Sequence, residues 1–201
     1  MSVKKKTYEE VIKESPVTYE SYASMIDDGN RYEISDGVLE LMSPSPTTTH
    51  QMICHKMLFR LETSCGNEFI ILPSPIDVIL SNTEVRQPDI VMIHRSRMSI
   101  ISNRGVNGAP DLVVEITSEH SRKRDKVKKR TVYAKYGVPE YWIVDPSNFT
   151  LEQYTLDGDR YELIEVYAED DTISSMTAPC ASFSMSEIVQ SLPVHPGTLL
   201  D

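Results

Sequence analysis

Two short apolar runs rich in β-branched residues constrain the fold of this chain more than any other feature. They are DIVMI at residues 89–93 and DLVVEI at residues 111–116. Nearly continuous apolar runs are typical of central strands that other elements cover on both faces. A third run, EYWIVDP at residues 140–146, has the same character. These segments predict the interior strands of one sheet.

A helical segment separates the second run from the third. The residues RDKVKKRTVYAKYGVPEY predict a helix that ends at Gly137, since glycine commonly closes a helix and Pro139 cannot continue one. A strand, a helix and a strand in this order suggest a crossover, which is right-handed if the two strands are parallel.

The remaining segments carry weaker signals for helices, strands and turns. A helix is expected from about Thr18 to Asp28, and another after a cap at Thr47, Thr48 or Thr49. The sequence LEQYTLDGDRYELIEVY predicts a β-hairpin that turns at Asp157 and Gly158. A short closing helix is predicted in SMSEIVQSL, and further strands in VLELMS, EFIILPS, IDVILS and EVRQPDIVMIH.

The length and composition indicate one globular unit. We expect residues 1–17 to be a flexible segment and residues 18–201 to form a single domain, with no convincing linker between them. No run of about 18 apolar residues is present, and the basic start has no apolar signal region behind it. A cytoplasmic location is therefore expected. The three cysteines have unrelated spacings and are expected to be separate thiols.

Charge is distributed unevenly along this acidic chain. The formal net charge is −10, yet seven basic residues and one acid in residues 122–130 give 7 − 1 = +6. The remainder therefore carries −10 − 6 = −16, which argues against nucleic-acid binding over the whole surface. A local basic strip for an anionic ligand remains compatible with this pattern. A solvated helix face, paired with acids of the same protein or of a second subunit, is the alternative.

The predicted strands carry two acidic residues that could form a metal site. Asp89 begins one strand and Glu115 lies near the end of the next. If these strands are neighbours, the two carboxylates meet at one end of the sheet, where they could bind Mg²⁺ together with waters and a substrate phosphate. A turn-forming Asp and a salt-bridged Glu are the plainer interpretation.

The downstream helix adds a basic group to this prediction. Asp125, Lys129 and Tyr133 follow one another at intervals of four, which places them on one helix face. Lys129 would reach the carboxylates and contact the attacking water or the phosphate. An Asp-Lys pair on a solvated helix is the alternative.

Three stretches of the sequence resemble a known family. RYEISDGVLELMSPSPTTTHQ, RQPDIVMI and APDLVVEITSEHSRKRDKVKKRTVYAKYGVPEYWIVDP together are similar to the Uma2 (DUF820) family of the PD-(D/E)XK nuclease-like superfamily. The resemblance covers roughly Thr18 to Ser186. It implies an α/β (α+β) fold with a restriction-endonuclease-like core: a central mixed β-sheet flanked by helices, here with a C-terminal β-hairpin added. It also implies DNA cleavage that depends on a divalent metal ion.

The resemblance assigns the two carboxylates to positions of the superfamily motif, and at one other position this sequence differs from that motif. Asp89 matches the Asp of the PD element, and Glu115 matches the acid of the (D/E)XK element. The lysine expected two residues after that acid is replaced by Thr117. Lys129 matches a family lysine on the next helix, and we infer that its ammonium enters the same pocket from there.

Further family positions supply supporting candidates. Glu33 matches an upstream acid that could be another metal or water ligand, and His50 matches a histidine at the start of the first core helix. Ser118 and Asp125 match a serine and an aspartate near the active acid. The expected phosphate-contacting residues are Arg122, Lys123, Arg124, Lys126, Lys128 and Arg130.

Together these residues predict a DNA endonuclease that uses Mg²⁺ or Mn²⁺. Asp89 and Glu115 would hold the metal, while Lys129 and Glu33 would complete the catalytic group. The alternative is an inactive nuclease-like scaffold that binds nucleic acid or a protein partner, which the missing lysine at position 117 favours. A homodimer is expected by analogy with restriction-endonuclease-like folds.

Overall fold

The structure, a computed structural model, describes residues 5–42, 45–117, 125–190 and 192, without the side chains of residues 125 and 126. The described helices are α1 Tyr8–Ile12, α2 Tyr19–Ala23, α3 Thr48–Cys65, α4 Arg130–Lys135 and α5 Met185–Val189. A 3-10 helix covers Arg95–Ile100, and a π-helical turn, Asp125–Lys129, leads into α4.

The described strands number fourteen. They are β1 Tyr32–Ser35, β2 Val38–Leu41, β3 Phe69–Pro73, β4 Val78–Ser81, β5 Glu84–Arg86, β6 Ile90–His94, β7 Ile101–Ser102, β8 Gly105–Asn107, β9 Leu112–Ile116, β10 Glu140–Asp145, β11 Thr150–Asp157, β12 Arg160–Tyr167, β13 Thr172–Ser174 and β14 Ser182–Ser184.

A six-stranded mixed sheet, called the central sheet below, contains the predicted interior strands. Its order is β12-β11-β10-β9-β6-β3. Strands β9 and β10 run parallel, and the other neighbours run antiparallel. Helix α4 connects the parallel pair, so the predicted parallel crossover is confirmed. Every residue of β9 and β10 is buried, as the apolar runs indicated.

The central sheet packs apolar side chains on both faces. Val114 of β9 belongs to a buried cluster with Met57 of α3, whereas Val113 belongs to a second cluster with Tyr133 of α4. Because side chains alternate along a strand, Glu115 faces the same side as Val113. The sheet register therefore directs the Glu115 carboxylate toward α4.

A second six-stranded sheet has the order β2-β1-β5-β4-β8-β7. Three residues, 87–89, carry the chain from its strand β5 to strand β6 of the central sheet. The prediction of one continuous strand over residues 84–94 is therefore wrong. Pro88 has no N–H to donate to a strand ladder, and it falls where the chain changes sheets. Asp89 lies at this junction of the two sheets.

The helix predicted from Thr18 to Asp28 is shorter in the structure. Helix α2 covers only Tyr19–Ala23. Beyond it, the Asp27 carboxylate accepts from the Gly29 N–H, and the Asp28 carboxylate accepts from the Asn30 N–H, both at 2.9 Å. Such local side-chain to backbone bonds compete with helical ones, so these aspartates form turns.

The C-terminal part contains the predicted hairpin. Strands β11 and β12 pair antiparallel on the edge of the central sheet, and Asp157 pairs with Arg160 across the turn. Gly158 has a φ of 62°, a value that glycine adopts without strain. A small sheet of β13 and β14 follows, and Ser184 caps the closing helix α5. Both the hairpin and the closing helix are confirmed.

The segment before residue 18, which the sequence predicts to be flexible, contains helix α1. Thr7 caps this helix, and Val11 and Val17 are buried in an apolar cluster with Ile34 of β1. Among the described helices, none is both long and apolar enough to cross a membrane.

Two of the cysteines are joined. Cys65 at the end of α3 and Cys180 before β14 form a disulfide with a Cα–Cα distance of 5.2 Å, and Cys54 is a free thiol. The expectation of three separate thiols is therefore wrong. The pairing spans 115 residues, and no local spacing rule could reveal it.

Candidate active site

The two predicted acids, Asp89 and Glu115, lie at the same end of the central sheet. The antiparallel register of β6 and β9 pairs Ile90 with Val114. One further step along this register places Asp89 across from Glu115. This places the two residues side by side on neighbouring strands. Their side-chain contacts differ, because the Asp89 carboxylate contacts His50 of α3 and the Glu115 carboxylate contacts Lys129 and Tyr133.

Hydrogen bonds fix the Asp89 carboxylate. Its Oδ2 accepts from the N–H of Ile116 at 2.7 Å and lies 3.2 Å from His50 Nε2. The first bond takes the place of a strand hydrogen bond beyond the end of β6. Asp89 is thereby tied to the backbone next to Glu115, while its side chain keeps 18% of its surface exposed.

His50 supports Asp89 from the first turn of α3. Thr47 caps this helix by accepting from the His50 N–H, which orients the turn toward the sheet end. The imidazole is buried, and Nδ1 has no hydrogen-bond partner among the described residues. A neutral ring that donates from Nε2 to Asp89 leaves Nδ1 as the acceptor. His50 therefore holds the carboxylate in one orientation.

Glu115 binds two donors from the other side of the sheet. Lys129 Nζ lies 2.7 Å from Glu115 Oε1, and the Tyr133 hydroxyl donates to the same oxygen at 2.9 Å. Residues four apart lie on one helix face, which explains why both side chains reach one carboxylate. Burial, with the charges of Glu115 and Glu33, raises the pKa of Tyr133 well above its ordinary value. The phenol therefore stays protonated and keeps donating.

The residue that replaces the superfamily lysine has a structural role. Thr117 is buried, and its hydroxyl donates to the carbonyl of Val144 on β10 at 3.2 Å. Its backbone N–H also donates to that carbonyl, at 2.8 Å. Position 117 thus extends the β9–β10 pairing, and the ammonium group at Glu115 comes from Lys129 instead.

Glu33 joins the site to the second sheet. Its Oε1 lies 3.4 Å from Lys129 Nζ and accepts from the Gln87 N–H at 3.0 Å, while its Oε2 lies 3.3 Å from Arg86 Nη1. The Glu33 side chain is fully buried. This acid is therefore placed to share the Lys129 ammonium with Glu115.

Arg86 stands in the middle of the buried charges and was not predicted from the sequence. It pairs with Glu33 and Glu84 and donates to the Ser35 hydroxyl at 2.9 Å, with only 2% of its side chain exposed. Tyr133 was likewise placed on the correct helix face but given no role. The alternation of Glu84 and Arg86 within one strand was the available signal, because residues two apart share a face.

Much of the predicted phosphate-contacting strip lies outside the described residues. This applies to Arg122, Lys123 and Arg124 and to the side chain of Lys126. The predicted supporting residue Ser118 and the side chain of Asp125 also lie outside the described residues. Lys128 is 63% exposed and lies 3.9 Å from Glu40, and the Arg130 guanidinium stacks over Tyr154 at 5.2 Å. The regular helix predicted through this stretch is π-helical over Asp125–Lys129.

A divalent cation at this end of the sheet would have Asp89 and Glu115 as its candidate carboxylate ligands. Among the described residues, no three acidic, histidine or cysteine side chains converge on one point. Mg²⁺ usually keeps several waters and binds through one or two carboxylates. Asp89 and Glu115 supply that number, and the partly exposed Asp89 gives water access to the site.

The mixed sheet flanked by helices places this fold in the class of restriction-endonuclease-like α+β proteins. A family model described as Uma2, "Putative restriction endonuclease", matches residues 17–186. Since the match covers most of the chain, the protein belongs to the Uma2 family. The resemblance seen in the sequence is thus confirmed.

A solved structure supports the same fold. The chain is similar to "a putative nuclease belonging to DUF820 from Anabaena variabilis ATCC 29413", with a TM-score of 0.71 and 19% sequence identity. The likeness covers 87% of this chain and 98% of the other. At this identity the match shows a shared fold, which confirms the predicted mixed sheet flanked by helices. No curated protein matches this chain.

Proposed function

We propose that this protein is a divalent-metal-dependent DNA endonuclease that hydrolyses phosphodiester bonds. One observation carries the proposal: the Lys129 ammonium lies 2.7 Å from Glu115 at the sheet end where Asp89 is across from Glu115. Two acids on neighbouring strands and one amine beside them are groups that can support metal-dependent phosphodiester hydrolysis. Membership in a nuclease family supports the same reaction.

Asp89 and Glu115 would hold Mg²⁺ or Mn²⁺. The bound cation would supply charge stabilisation at the phosphate and a lower pKa for a water ligand. His50 and the Ile116 N–H set the orientation of Asp89 through its Oδ2. Tyr133 and Lys129 set the orientation of Glu115 through its Oε1. Both carboxylates are therefore oriented before substrate arrives.

Lys129 supplies the positive group that contacts the water or the phosphate. In this structure its ammonium lies between Glu115 and Glu33, which hold it close to the sheet end. A lysine in this place can stabilise negative charge on the phosphate or hand a proton to a leaving oxygen. Glu33 contributes by holding Lys129 in position.

The inactive scaffold is the second candidate. Thr117 at the superfamily lysine position favours it, because the common arrangement of the motif is absent. The position of Lys129 beside Glu115 argues for activity instead.

We also propose that two copies of the protein cooperate as a homodimer, because one such site cuts one strand of a duplex. The proposed location of this activity is the cytoplasm.

The test is cleavage of supercoiled plasmid with Mg²⁺ or Mn²⁺ by the wild-type protein and by Asp89→Asn. We expect nicked and linear products from the wild type, none from Asp89→Asn, and none from either protein in EDTA. Equal cutting by both proteins would indicate a contaminating nuclease. Salt-sensitive DNA binding without cutting by the wild type would favour the scaffold.

Replacing Tyr133 by phenylalanine should weaken metal binding without unfolding the protein. The change removes one of the two donors to Glu115 Oε1 and leaves the buried ring in place. Loss of a group that orients a metal ligand typically lowers metal affinity about 10- to 100-fold. Mn²⁺ titration by calorimetry measures this effect. The matched control is Tyr161→Phe, whose hydroxyl, within the described part of the chain, bonds only the Val138 carbonyl. Equal losses in both variants would contradict a role specific to Tyr133.

A further inference from the structure

Arg31 is an exposed arginine whose guanidinium is held by uncharged side chains. It directly precedes β1. Its Nε and Nη2 donate to Gln87 Oε1 at 3.0 and 2.7 Å, and Nη2 also donates to Ser74 Oγ at 2.8 Å. Three hydrogen bonds to two partners restrict the long side chain to one arrangement. A solvent-exposed arginine without such partners would keep most of its rotamer freedom.

The position of Ser74 brings this guanidinium to the active-site end of the sheet. The Ser74 N–H donates to the Asp89 carbonyl at 2.9 Å, which continues the β3–β6 ladder by one residue. Asp89 in turn is across from Glu115. The three residues thus form one row over three neighbouring strands, which are about 4.8 Å apart. Arg31 contacts the Ser74 end of that row.

Gln87 ties Arg31 to the same site by a second route. Its backbone N–H donates to Glu33 Oε1 at 3.0 Å, and its side-chain amide donates to Asp77 Oδ1 at 2.8 Å. These bonds leave the Gln87 carbonyl oxygen to accept from Arg31. The segment that carries Asp89 therefore also holds the Arg31 guanidinium in place.

The charge of Arg31 differs from the other basic charges at the site. Arg86 and Lys129 each pair with two carboxylates. Across the described residues, Arg31 forms no ion pair and its Nη1 has no hydrogen-bond partner. Its charge acts on the partly buried Asp77 carboxylate only through space, without an ion pair. The exposed guanidinium therefore remains accessible to a ligand from outside the protein. A guanidinium fork suits a phosphate well, because it donates two parallel N–H bonds to two oxygens.

We propose that Arg31 binds a backbone phosphate of the DNA next to the one that is cut, and so positions the strand along the row from Ser74 to Glu115. This inference rests on the proposed function. Arg31 would act as a positioning residue, since its hydrogen bonds are to Gln87 and Ser74 at the far end of the row from Glu115. Its contact would contribute to affinity without reading sequence.

The test compares Arg31→Gln and Arg31→Lys with the wild type in DNA binding. A labelled duplex is titrated in EDTA by fluorescence anisotropy between about 50 and 200 mM salt, where no cutting interferes. The matched control is Arg95→Gln. Arg95 is also exposed, and its Nε and Nη2 both donate to the Gly66 carbonyl, at 3.1 and 2.6 Å. It directly follows β6, at the end opposite to Asp89.

Loss of one phosphate contact should lower the slope of log affinity against log salt by about 0.9 in magnitude. When the salt concentration rises fourfold, the affinity of the wild type should fall by a certain factor. That factor should be about 3.5 times the factor by which the affinity of Arg31→Gln falls. We expect Arg31→Lys to keep the wild-type slope and Arg95→Gln to show no change. Melting temperatures would show that all variants are folded.

Three results would overturn the inference, and they can be told apart. If the wild type binds DNA and Arg31→Gln has the same slope, Arg31 makes no phosphate contact and the nuclease proposal stands. If the slope of log affinity against log salt falls as much in Arg31→Lys as in Arg31→Gln, the positive charge at position 31 does not contact a DNA phosphate. If the wild type neither binds nor cuts DNA, the proposed function fails together with the inference.

Discussion

Replacing Lys129 by methionine is expected to lower metal-dependent DNA cleavage by about two to four orders of magnitude. Methionine retains much of the length and apolar volume but removes the ammonium that lies 2.7 Å from Glu115 Oε1. Without that ammonium, nothing else among the described residues brings a lysine to this carboxylate. Initial rates on plasmid substrate, measured at saturating Mn²⁺, give the size of the effect.

Metal binding separates a catalytic role of Lys129 from a structural one. The variant leaves Asp89 and Glu115 in place and removes a competing positive charge, so Mn²⁺ should bind at least as tightly as to the wild type. The matched control is Lys135→Met, because Lys135 is exposed on the same helix and contacts the Tyr136 ring. Cleavage that falls equally in both lysine variants, or that tracks a loss of folded protein, would refute the assignment.

Replacing Arg86 by methionine is expected to lower the free energy of unfolding by about 3–5 kcal/mol. The guanidinium is 2% exposed and pairs with both Glu33 and Glu84, whose side chains are also buried. Removing it leaves carboxylates in the interior without their main compensating charge. Urea unfolding followed by circular dichroism measures the change.

Two further variants show whether uncompensated charge causes this loss. Arg97 pairs with Asp111 at 2.7 Å but is 38% exposed, so Arg97→Met should cost less than about 1 kcal/mol. Adding Glu84→Gln to Arg86→Met should restore part of the lost stability, since one buried charge is then removed. A loss in Arg86→Met no larger than in Arg97→Met would show that the buried network contributes little.

The two predictions concern one connected set of charges. Glu33 is bound both by Arg86 of the second sheet and by Lys129 beside α4. Arg86 therefore stabilises the acid that holds Lys129 close to Glu115. A weakened but folded Arg86 variant should lose cleavage as well as stability, because Glu33 would then be free to draw Lys129 toward itself.

Local patterns in the sequence determined the core of the site. The apolar runs around Asp89 and Glu115 specify buried strands, and the four-residue spacing of Lys129 and Tyr133 specifies a shared helix face. These rules work because strand and helix periodicities are properties of the local backbone. They sufficed for the crossover and the C-terminal hairpin, whereas the mixed sheet was implied by the resemblance to the Uma2 family.

Only the tertiary structure decided which distant groups meet. The Cys65–Cys180 disulfide and the Arg86–Glu33 ion pair join segments that are far apart in the sequence. The end of β5 before Pro88 was also decided by the fold, because there the chain passes from one sheet to the other. The same holds for Arg31, which reaches Ser74 across 43 positions of sequence. Contacts of this kind depend on how two sheets pack and on which charges must be compensated once they are buried, and both are properties of the whole fold.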